Sequence, residues 1–257
     1  MDTYELRSSA ADERLYGHFR CMDEALSRSM VMAKQQVSAV LAVVGDWRPR
    51  RVVDIGAGAG AMLRLLSDKG FAQEYAATDI SQLSVSFMNN HPVPGFVGAT
   101  KAGVDNLPYG DQSFDLAILS HVLEHIPDPL IALEEASRVA GKVCLEVPLE
   151  LVLLPTAKAA WLTLARGRIR SINRVGHIHF FSVRGLRYLV RSAGLRIEAE
   201  FRYRLGLDWL SMHFGKDSMN TRTREALGCL LPIGVYGALL STNFAVLCSR
   251  PPSSDGA

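Results

Sequence analysis

The chain has 257 residues, of which 48% are hydrophobic and 21% charged, and its formal net charge is +2. This composition is that of an ordinary globular protein, and the length suits one large α/β domain with additions. So small a net charge does not indicate a dedicated nucleic-acid-binding protein. The acidic, polar N-terminus predicts no signal peptide. The four cysteines are widely separated, so we expect buried thiols and a cytoplasmic location.

Residues 226–249 carry no charged side chain and are long enough to span a bilayer. Pro232, Gly234 and several polar residues interrupt this stretch, and its end has the pattern of a strand. We therefore expect a buried helix, turn and strand, with no stable membrane insertion. A membrane contact is the alternative.

The apolar spacing of residues 12–45 predicts a long helix that ends at Gly45. Beyond it, short apolar runs alternate with helical patterns. Strands are predicted at 51–55, 74–79, 95–101, 113–121, 142–148, 195–205 and 242–250. Helices are predicted at 61–70, 82–91, 129–139 and 183–194. We expect Gly70 to cap the first of these helices and Gly141 to end the third. This alternation is the signature of a doubly wound α/β sheet, which binds ligands beyond the carboxyl ends of its strands.

The loop after the first predicted strand reads "VVDIGAGAG" and fits two cofactor patterns. From Gly56 it satisfies G-x-G-x-x-A, the dinucleotide fingerprint of nicotinamide enzymes. From Asp54 it is D-x-G-x-G-x-G, the pattern of proteins that bind S-adenosylmethionine. Gly56 and Gly58 permit a tight turn close to a ligand, and Gly60 lets the next helix pack close to the strand. Asp54 can pair with a ligand ammonium or order the loop.

Asp79 ends the second predicted strand, where a carboxylate can accept hydrogen bonds from both hydroxyls of a ribose. Nicotinamide enzymes also place an acid about 20 residues beyond their glycines, so Asp79 does not decide between the two cofactors. Its alternative role is an N-cap for the helix that begins near Ser81.

The segment "VDNLPYGDQSFDLAILSHVLEHIPD", residues 104–128, resembles the middle of the seven-strand Rossmann-like methyltransferases that use S-adenosylmethionine. Within that class it is similar to the group that contains the ubiquinone and menaquinone methyltransferases. The resemblance covers about residues 50–150 and extends more loosely to 176–195. It implies a mostly parallel seven-stranded sheet. It also implies four segments: a helical cap (1–48), a cofactor-binding core (49–150), a substrate lid with closing strands (151–250) and a disordered tail (251–257).

The resemblance also implies a set of contacts with the cofactor. The implied cofactor-binding residues are Asp54, Gly56, Ala57, Gly58, Gly60, Asp79, Ile80, Asp105, Asn106, Leu107, Ser120 and His121. The glycine loop would meet the methionine part and Asp79 the ribose. Ile80 would pack on the adenine, and Asp105 would accept a hydrogen bond from its amino group. Asn106 or Leu107 would offer a backbone N–H to the ring.

Three histidines are candidate catalytic residues. Ser120 and His121 would face the sulfonium and the methyl acceptor, and His121 could act there as a base or as a substrate contact. His177 and His179 could line the acceptor pocket. For His125 we expect a structural role in packing or hydrogen bonding.

A metal site is an alternative use of these histidines. His121, Glu124 and His125 would share one face of a helix, and with His177 or His179 they could bind a divalent ion. Some methyltransferases use an E-x-x-E-H ligand set near this point, but here His121 replaces its first glutamate. We therefore expect no metal.

The sequence thus predicts a methyltransferase that uses S-adenosylmethionine and methylates O or N of a small molecule. Its expected partners are a small-molecule acceptor and no nucleic acid, and a homodimer is compatible with the sequence. An RNA or protein methyltransferase with the same core is the main alternative. A nicotinamide oxidoreductase and a non-catalytic cofactor-binding protein are the others.

Overall fold

Seven strands of the chain pair side by side in a computed structural model that describes residues 21–149, 177–179, 181–204 and 242–251. The strands are β1 (Arg51–Ile55), β2 (Glu74–Asp79), β3 (Phe96–Lys101), β4 (Phe114–Ser120), β5 (Ala140–Leu149), β6 (Arg196–Arg204) and β7 (Thr242–Ser249). The helices are α1 (Met22–Val44), α2 (Ala61–Asp68), α3 (Gln82–Asn90), α4 (Pro129–Val139) and α5 (Val183–Ser192). Each predicted strand and helix with described residues is present.

The strand order is β3-β2-β1-β4-β5-β7-β6. The first five strands of that order pair in parallel, whereas β7 runs antiparallel to both β5 and β6. The chain leaves β1 toward β2 on one side and later returns to place β4 on the other. The carboxyl ends of β1 and β4 therefore flank the crevice where doubly wound sheets bind ligands. The predicted fold class is confirmed.

Helices cover both faces of the sheet because neighbouring strand residues point to opposite faces. Val53 lies in the core beneath α4 and α5, whereas Val52 lies in the core beneath α1, α2 and α3. Val37 and Val40 of α1 are fully buried in that second core. The described part of the predicted helical cap is thus a sheet-packing helix, and residues 1–20 lie outside the description.

The two glycines predicted to end helices have other roles in the structure. Helix α4 ends at Val139, as predicted, and strand β5 begins at once with Ala140, which pairs with Phe114 of β4. Gly141 is therefore a strand residue and does not end the helix. The cap residue of α2 is Lys69, and Gly70 follows it with φ +59° in the left-handed region, where glycine is favoured.

The expectation that the cysteines are buried thiols is correct for two of the three that the structure describes. Cys144 and Cys248 are buried, but Cys21 is exposed, and Cys229 lies outside the described residues. Burial raises the pKa of the Cys248 thiol to about 12, which keeps it protonated and unreactive. Among the described residues, no helix combines the length and the apolar character needed to cross a membrane. The predicted helix and turn before β7 fall outside the description.

The loop before β4 and the first residues of β4 contact the rest of the core through two acidic residues, Asp111 in the loop and Asp115 in the strand. Oδ2 of Asp115 accepts hydrogen bonds from the backbone N–H groups of Arg50 (2.7 Å) and Arg51 (2.9 Å) at the start of β1. Asp111, which is 76% exposed, pairs instead with Arg138 of α4 at 2.8 Å. The first interaction joins two strands, whereas the second lies at the surface.

Replacing Asp115 with alanine should lower the free energy of unfolding by about 2–4 kcal/mol, because two backbone donors lose a charged acceptor. Asp111→Ala is the matched control and should cost less than about 1 kcal/mol, as is typical of an exposed ion pair. Urea unfolding followed by circular dichroism measures both. Equal losses in the two variants would contradict this account of the loop.

Candidate functional site

The loop between β1 and α2 adopts a conformation that requires glycine. Gly56, Gly58 and Gly60 have φ values of +76°, +57° and +77°. A Cβ on Gly56 would lie 2.6 Å from a methyl carbon of Val122, and one on Gly60 would lie 3.1 Å from Met88. The loop therefore turns sharply against Val122, just past β4, and a larger residue at Gly56 or Gly60 would collide with these side chains.

Asp54 lies at the end of β1, directly below the glycine loop. Its side chain is buried, and its Oδ2 has no hydrogen-bond partner. Burial, with a smaller contribution from the negative charge of Asp79, raises the pKa of Asp54 to about 7. An unpaired buried carboxylate is unfavourable, so a cation placed against this oxygen would relieve it.

Asp79, at the end of β2, orders the loop with both of its carboxylate oxygens. Oδ2 accepts a hydrogen bond from the N–H of Gly58 and Oδ1 from the N–H of Ser81, each at 2.8 Å. The N-cap of α3 is Ser81 itself, whose hydroxyl accepts from the N–H of Ser84. The alternative role of Asp79 as a helix cap is therefore wrong, and the carboxylate faces the glycine loop.

The segment after β3 carries the residues expected to contact adenine. Asp105 and Asn106 are exposed, and Leu107 is buried. The N–H of Leu107 donates to Oε1 of Glu135 at 2.8 Å, and the N–H of Asn106 donates to the carbonyl of Gly103 at a longer 3.3 Å. Of the two backbone donors, Asn106 therefore has the weaker internal bond.

His121 follows β4 in a left-handed conformation, with φ +55°. This conformation is uncommon outside glycine, and the bond from its N–H to the carbonyl of Glu146 at 2.9 Å holds it. Its Nδ1 lies 3.3 Å from Oε1 of Glu124, and its Nε2 lies 3.6 Å from Oε1 of Glu146. Both carboxylates are fully buried, so the imidazole sits between two acids at the mouth of the sheet.

The two acids change the protonation of His121. Burial lowers the pKa of the imidazole, but the nearby carboxylates of Glu146 and Glu124 outweigh burial and raise it. Burial raises the pKa of Glu124, with the charge of Glu146 adding to this and His121 opposing it. The two carboxylates therefore stabilise the imidazolium, which is the form that His121 takes once it has accepted a proton.

Three residues from distant strands complete the surroundings of His121. Nδ2 of Asn243, on β7, lies 3.1 Å from Nε2 of His121, 3.3 Å from Oε1 of Glu146 and 3.0 Å from the hydroxyl of Tyr203 on β6. The hydroxyl of Ser120 donates to Oε2 of Glu146 at 2.5 Å. Glu146, Tyr203 and Asn243 were not among the predicted site residues. The one signal in the sequence was Glu146, an acidic residue within the otherwise apolar run of β5.

The turn after His121 differs from the expected helix. Only Leu123–His125 form a single 3-10 turn, and the left-handed His121 lies before it. His121, Glu124 and His125 therefore do not share one helical face, contrary to the prediction. His177 comes beside the turn instead, with its ring centroid 4.9 Å from that of His125.

The predicted histidines thus separate into two groups. His121 and His177 lie near Glu124, since both His121 and His177 contribute to its electrostatics. Nε2 of His179 instead lies 3.2 Å from the carbonyl of Pro127, on the turn that follows His125. Asp54 and Asp79 lie at the neighbouring strand ends, so the structure gathers most predicted site residues along one edge of the sheet.

The comparisons with known proteins agree with this geometry. The family model described as "Methyltransferase domain" matches residues 29–200. A malonyl-[acyl-carrier protein] O-methyltransferase of Pseudescherichia vulneris is 23% identical over 197 residues, which are 77% of this chain and 72% of that protein.

Two solved structures have the same fold. One is a chain of the complex between the Haloferax volcanii Trm112 methyltransferase activator and the putative methyltransferase, with TM-score 0.60, 17% identity, and coverage of 98% of this chain and 99% of that one. The other is a putative sarcosine dimethylglycine methyltransferase from Galdieria sulphuraria, with TM-score 0.56, 17% identity, and coverage of 87% and 85%.

The family match spans well over half of the chain, and the order of the seven strands agrees with it. The ambiguity of the glycine loop is thereby removed in favour of S-adenosylmethionine. This chain belongs to the S-adenosylmethionine-dependent methyltransferases with a Rossmann-like fold.

Proposed function

We propose that this methyltransferase transfers its methyl group to an O or N atom of a small molecule, at the strand edge between Asp54 and His121. The observation that carries the proposal is a pair of neighbouring features. One is a glycine loop with an unpartnered buried carboxylate below it, and the other is a buried histidine cluster at the next strand end. The first suits the cofactor and the second the acceptor.

Asp54 would hold the ammonium of the methionine part. Its Oδ2 is buried without a hydrogen-bond partner, and an ammonium is the group that such an oxygen lacks. The backbone of the loop at Gly56, Ala57, Gly58 and Gly60 would lie against the same part of the ligand. The residues present therefore fit an aminoacyl group with one positive charge.

Asp79 would accept from the ribose hydroxyls while it keeps the glycine loop in place. Each carboxylate oxygen has two lone pairs, and the described hydrogen bonds to Gly58 and Ser81 occupy one on each oxygen. Ile80 follows directly and would pack on the adenine. Asp105 would accept from the adenine amino group.

The backbone donor to the ring is better assigned to Asn106 than to Leu107. The N–H of Leu107 is held by the Glu135 carboxylate, whereas Asn106 makes only the 3.3 Å bond to a carbonyl. Releasing the weaker bond costs less, so Asn106 is the donor that we propose.

Ser120 and His121 would face the reacting atoms. The sulfonium makes the methyl carbon electrophilic, and in-line placement of the acceptor is the main requirement of the transfer. As the new bond to the methyl carbon forms, the bond from sulfur breaks and the acceptor releases a proton. His121 would contact the acceptor and take that proton, with Asn243 and Glu146 as positioning residues. His177 and His179 would line the acceptor side.

A small-molecule acceptor is supported by what the relatives are called. The curated relative is a malonyl-[acyl-carrier protein] O-methyltransferase, and one similar structure is a putative sarcosine dimethylglycine methyltransferase. Membership of the ubiquinone and menaquinone group, a cytoplasmic location and a homodimer remain parts of the proposal. An RNA or protein acceptor on the same core stays the alternative.

S-adenosylhomocysteine should bind about tenfold more tightly at pH 8 than at pH 6, because Asp54, with its pKa of about 7, must lose its proton to pair with the ligand ammonium. Asp79 is the neighbouring acidic residue whose negative charge contributes to the raised pKa of Asp54. Asp54→Asn should bind more weakly and lose most of this pH dependence. Isothermal titration calorimetry at both pH values measures the effect, and an unchanged pH dependence in Asp54→Asn would contradict the assignment.

His121→Ala should lower kcat by about 100-fold or more, because it removes the group that contacts the acceptor and takes its proton. Asn243→Ala should lower kcat less and leave KM for the cofactor within a few-fold, since it only loosens the imidazole. Tyr203→Phe, which removes one hydrogen bond of Asn243, is the matched control. A KM effect on the cofactor without any loss of kcat would contradict this role.

The experiment for the function itself combines binding and transfer. Calorimetry should show one S-adenosylhomocysteine bound per chain and no binding of NAD. Methyl transfer from labelled S-adenosylmethionine to a panel of small carboxylates, phenols and amines should identify the acceptor. Tight binding to tRNA that weakens steeply with salt, together with labelling of RNA, would instead support the alternative.

A further inference from the structure

A second buried carboxylate of the molecule has no hydrogen-bond partner. The side chain of Glu124 has no exposed surface, and neither Oε1 nor Oε2 accepts a hydrogen bond. Nδ1 of His121 is near, at 3.3 Å from Oε1, but not in hydrogen-bonding geometry. Buried carboxylates are almost always hydrogen-bonded or bound to a cation, so this one needs an explanation.

Two histidines converge on the same carboxylate. One ligand atom each from Glu124, His125 and His177 lie within 4.8 Å of one another. The 3-10 turn places Glu124 beside His125. The backbone N–H groups of Ile178 and His179 both donate to the carbonyl of Glu124, at 2.8 and 3.2 Å, and so hold His177 against the turn. The convergence is therefore built by the backbone.

We propose that Glu124, His125 and His177 bind one divalent transition-metal ion of the zinc class. Two imidazoles and one carboxylate are a ligand set that zinc uses where a fourth position stays open. At metal–ligand distances of about 2.0–2.1 Å, tetrahedral ligand atoms lie roughly 3.3 Å apart, so small side-chain rotations close the site. The ion supplies the cation that the buried carboxylate lacks.

The neighbouring histidines are not ligands in this arrangement. Nδ1 of His121 lies 3.3 Å from Oε1 of Glu124 without hydrogen-bonding geometry, so His121 is an electrostatic neighbour of the carboxylate and not one of the three ligands. Nε2 of His179 faces the carbonyl of Pro127. The sequence predicted no metal because His121 stands where the E-x-x-E-H ligand set has its first glutamate. In the folded chain, Glu124, His125 and His177 come together without His121.

The inference does not rest on methyl transfer, because binding can be measured without cofactor or acceptor. Its physical competitor is a protonated histidine that neutralises Glu124. That arrangement predicts no stoichiometric binding of metal, whereas the proposed site predicts one ion per chain.

The test is a titration of the full, chelator-treated chain with Zn²⁺ against a chromophoric competitor, and with Co²⁺ followed by visible absorption. One ion per chain should bind, and Co²⁺ should give the intense d–d bands of a four-coordinate site. Glu124→Gln, His125→Gln and His177→Gln should each weaken binding by more than about 100-fold, beyond the roughly 10- to 100-fold that the loss of an outer partner costs. His179→Gln, two residues along the same segment, is the matched control and should bind as the wild type does.

Equal binding by the wild type and by a variant that carries all three glutamine substitutions would overturn the proposal. The metal would then be bound by histidines elsewhere on the surface. If Glu124→Gln fails to fold, His177→Gln decides, since His177 is only half-buried and its segment is held by the backbone bonds of its neighbours. Binding of S-adenosylhomocysteine to His177→Gln separates the two proposals. A variant that loses metal but keeps this ligand leaves the proposed function intact.

Discussion

The organising constraint of this molecule is negative charge buried at the carboxyl ends of parallel strands. Asp54 and Asp79 lie side by side there, and Glu124 and Glu146 lie around the next strand end, all with little or no exposed surface. Ionised carboxylates are stable in such a place only when donors or cations surround them. The backbone N–H groups of Gly58 and Ser81 donate to Asp79, and the side chains of Ser120 and Asn243 donate to Glu146. Asp54 keeps one unpartnered oxygen and Glu124 keeps two, and this is the reason why we propose both as binding groups.

The topology explains why these residues meet. The return of the chain to place β4 beside β1 brings Val122 against Gly56, so the glycine loop and the cluster around His121 lie next to each other. The antiparallel insertion of β7 then brings Asn243 across the sheet to His121. A residue more than one hundred positions away thus orients the imidazole, which no local pattern would reveal.

Much of the fold was predictable because its signals are local. Apolar runs and turn glycines each act over a few residues. The role of Gly141 as helix end was wrong because pairing of Ala140 with Phe114, a tertiary contact, starts the strand two residues earlier than predicted. The division of the chain into a cap, a core and a lid stays a prediction, since residues 1–20 and 150–176 lie outside the description.

The site was predictable in part for the same reason. The loop glycines, Asp54 and Asp79 follow strands directly, and their positions at the strand edge follow from the alternation of strands and helices. The common helical face of His121, Glu124 and His125 was wrong, because a left-handed backbone at His121 depends on its bond to Glu146. Likewise, the occupation of the Leu107 amide by Glu135 is a contact between distant segments.

The account depends most directly on what partners Asp54. A crystal structure of the chain with S-adenosylhomocysteine tests this, because the ligand amino group is a single identifiable atom. The account predicts that this nitrogen lies within hydrogen-bonding distance of Oδ2 of Asp54, with the ribose beside Asp79. A ligand bound along the strand edge with Asp54 still unpartnered would contradict it.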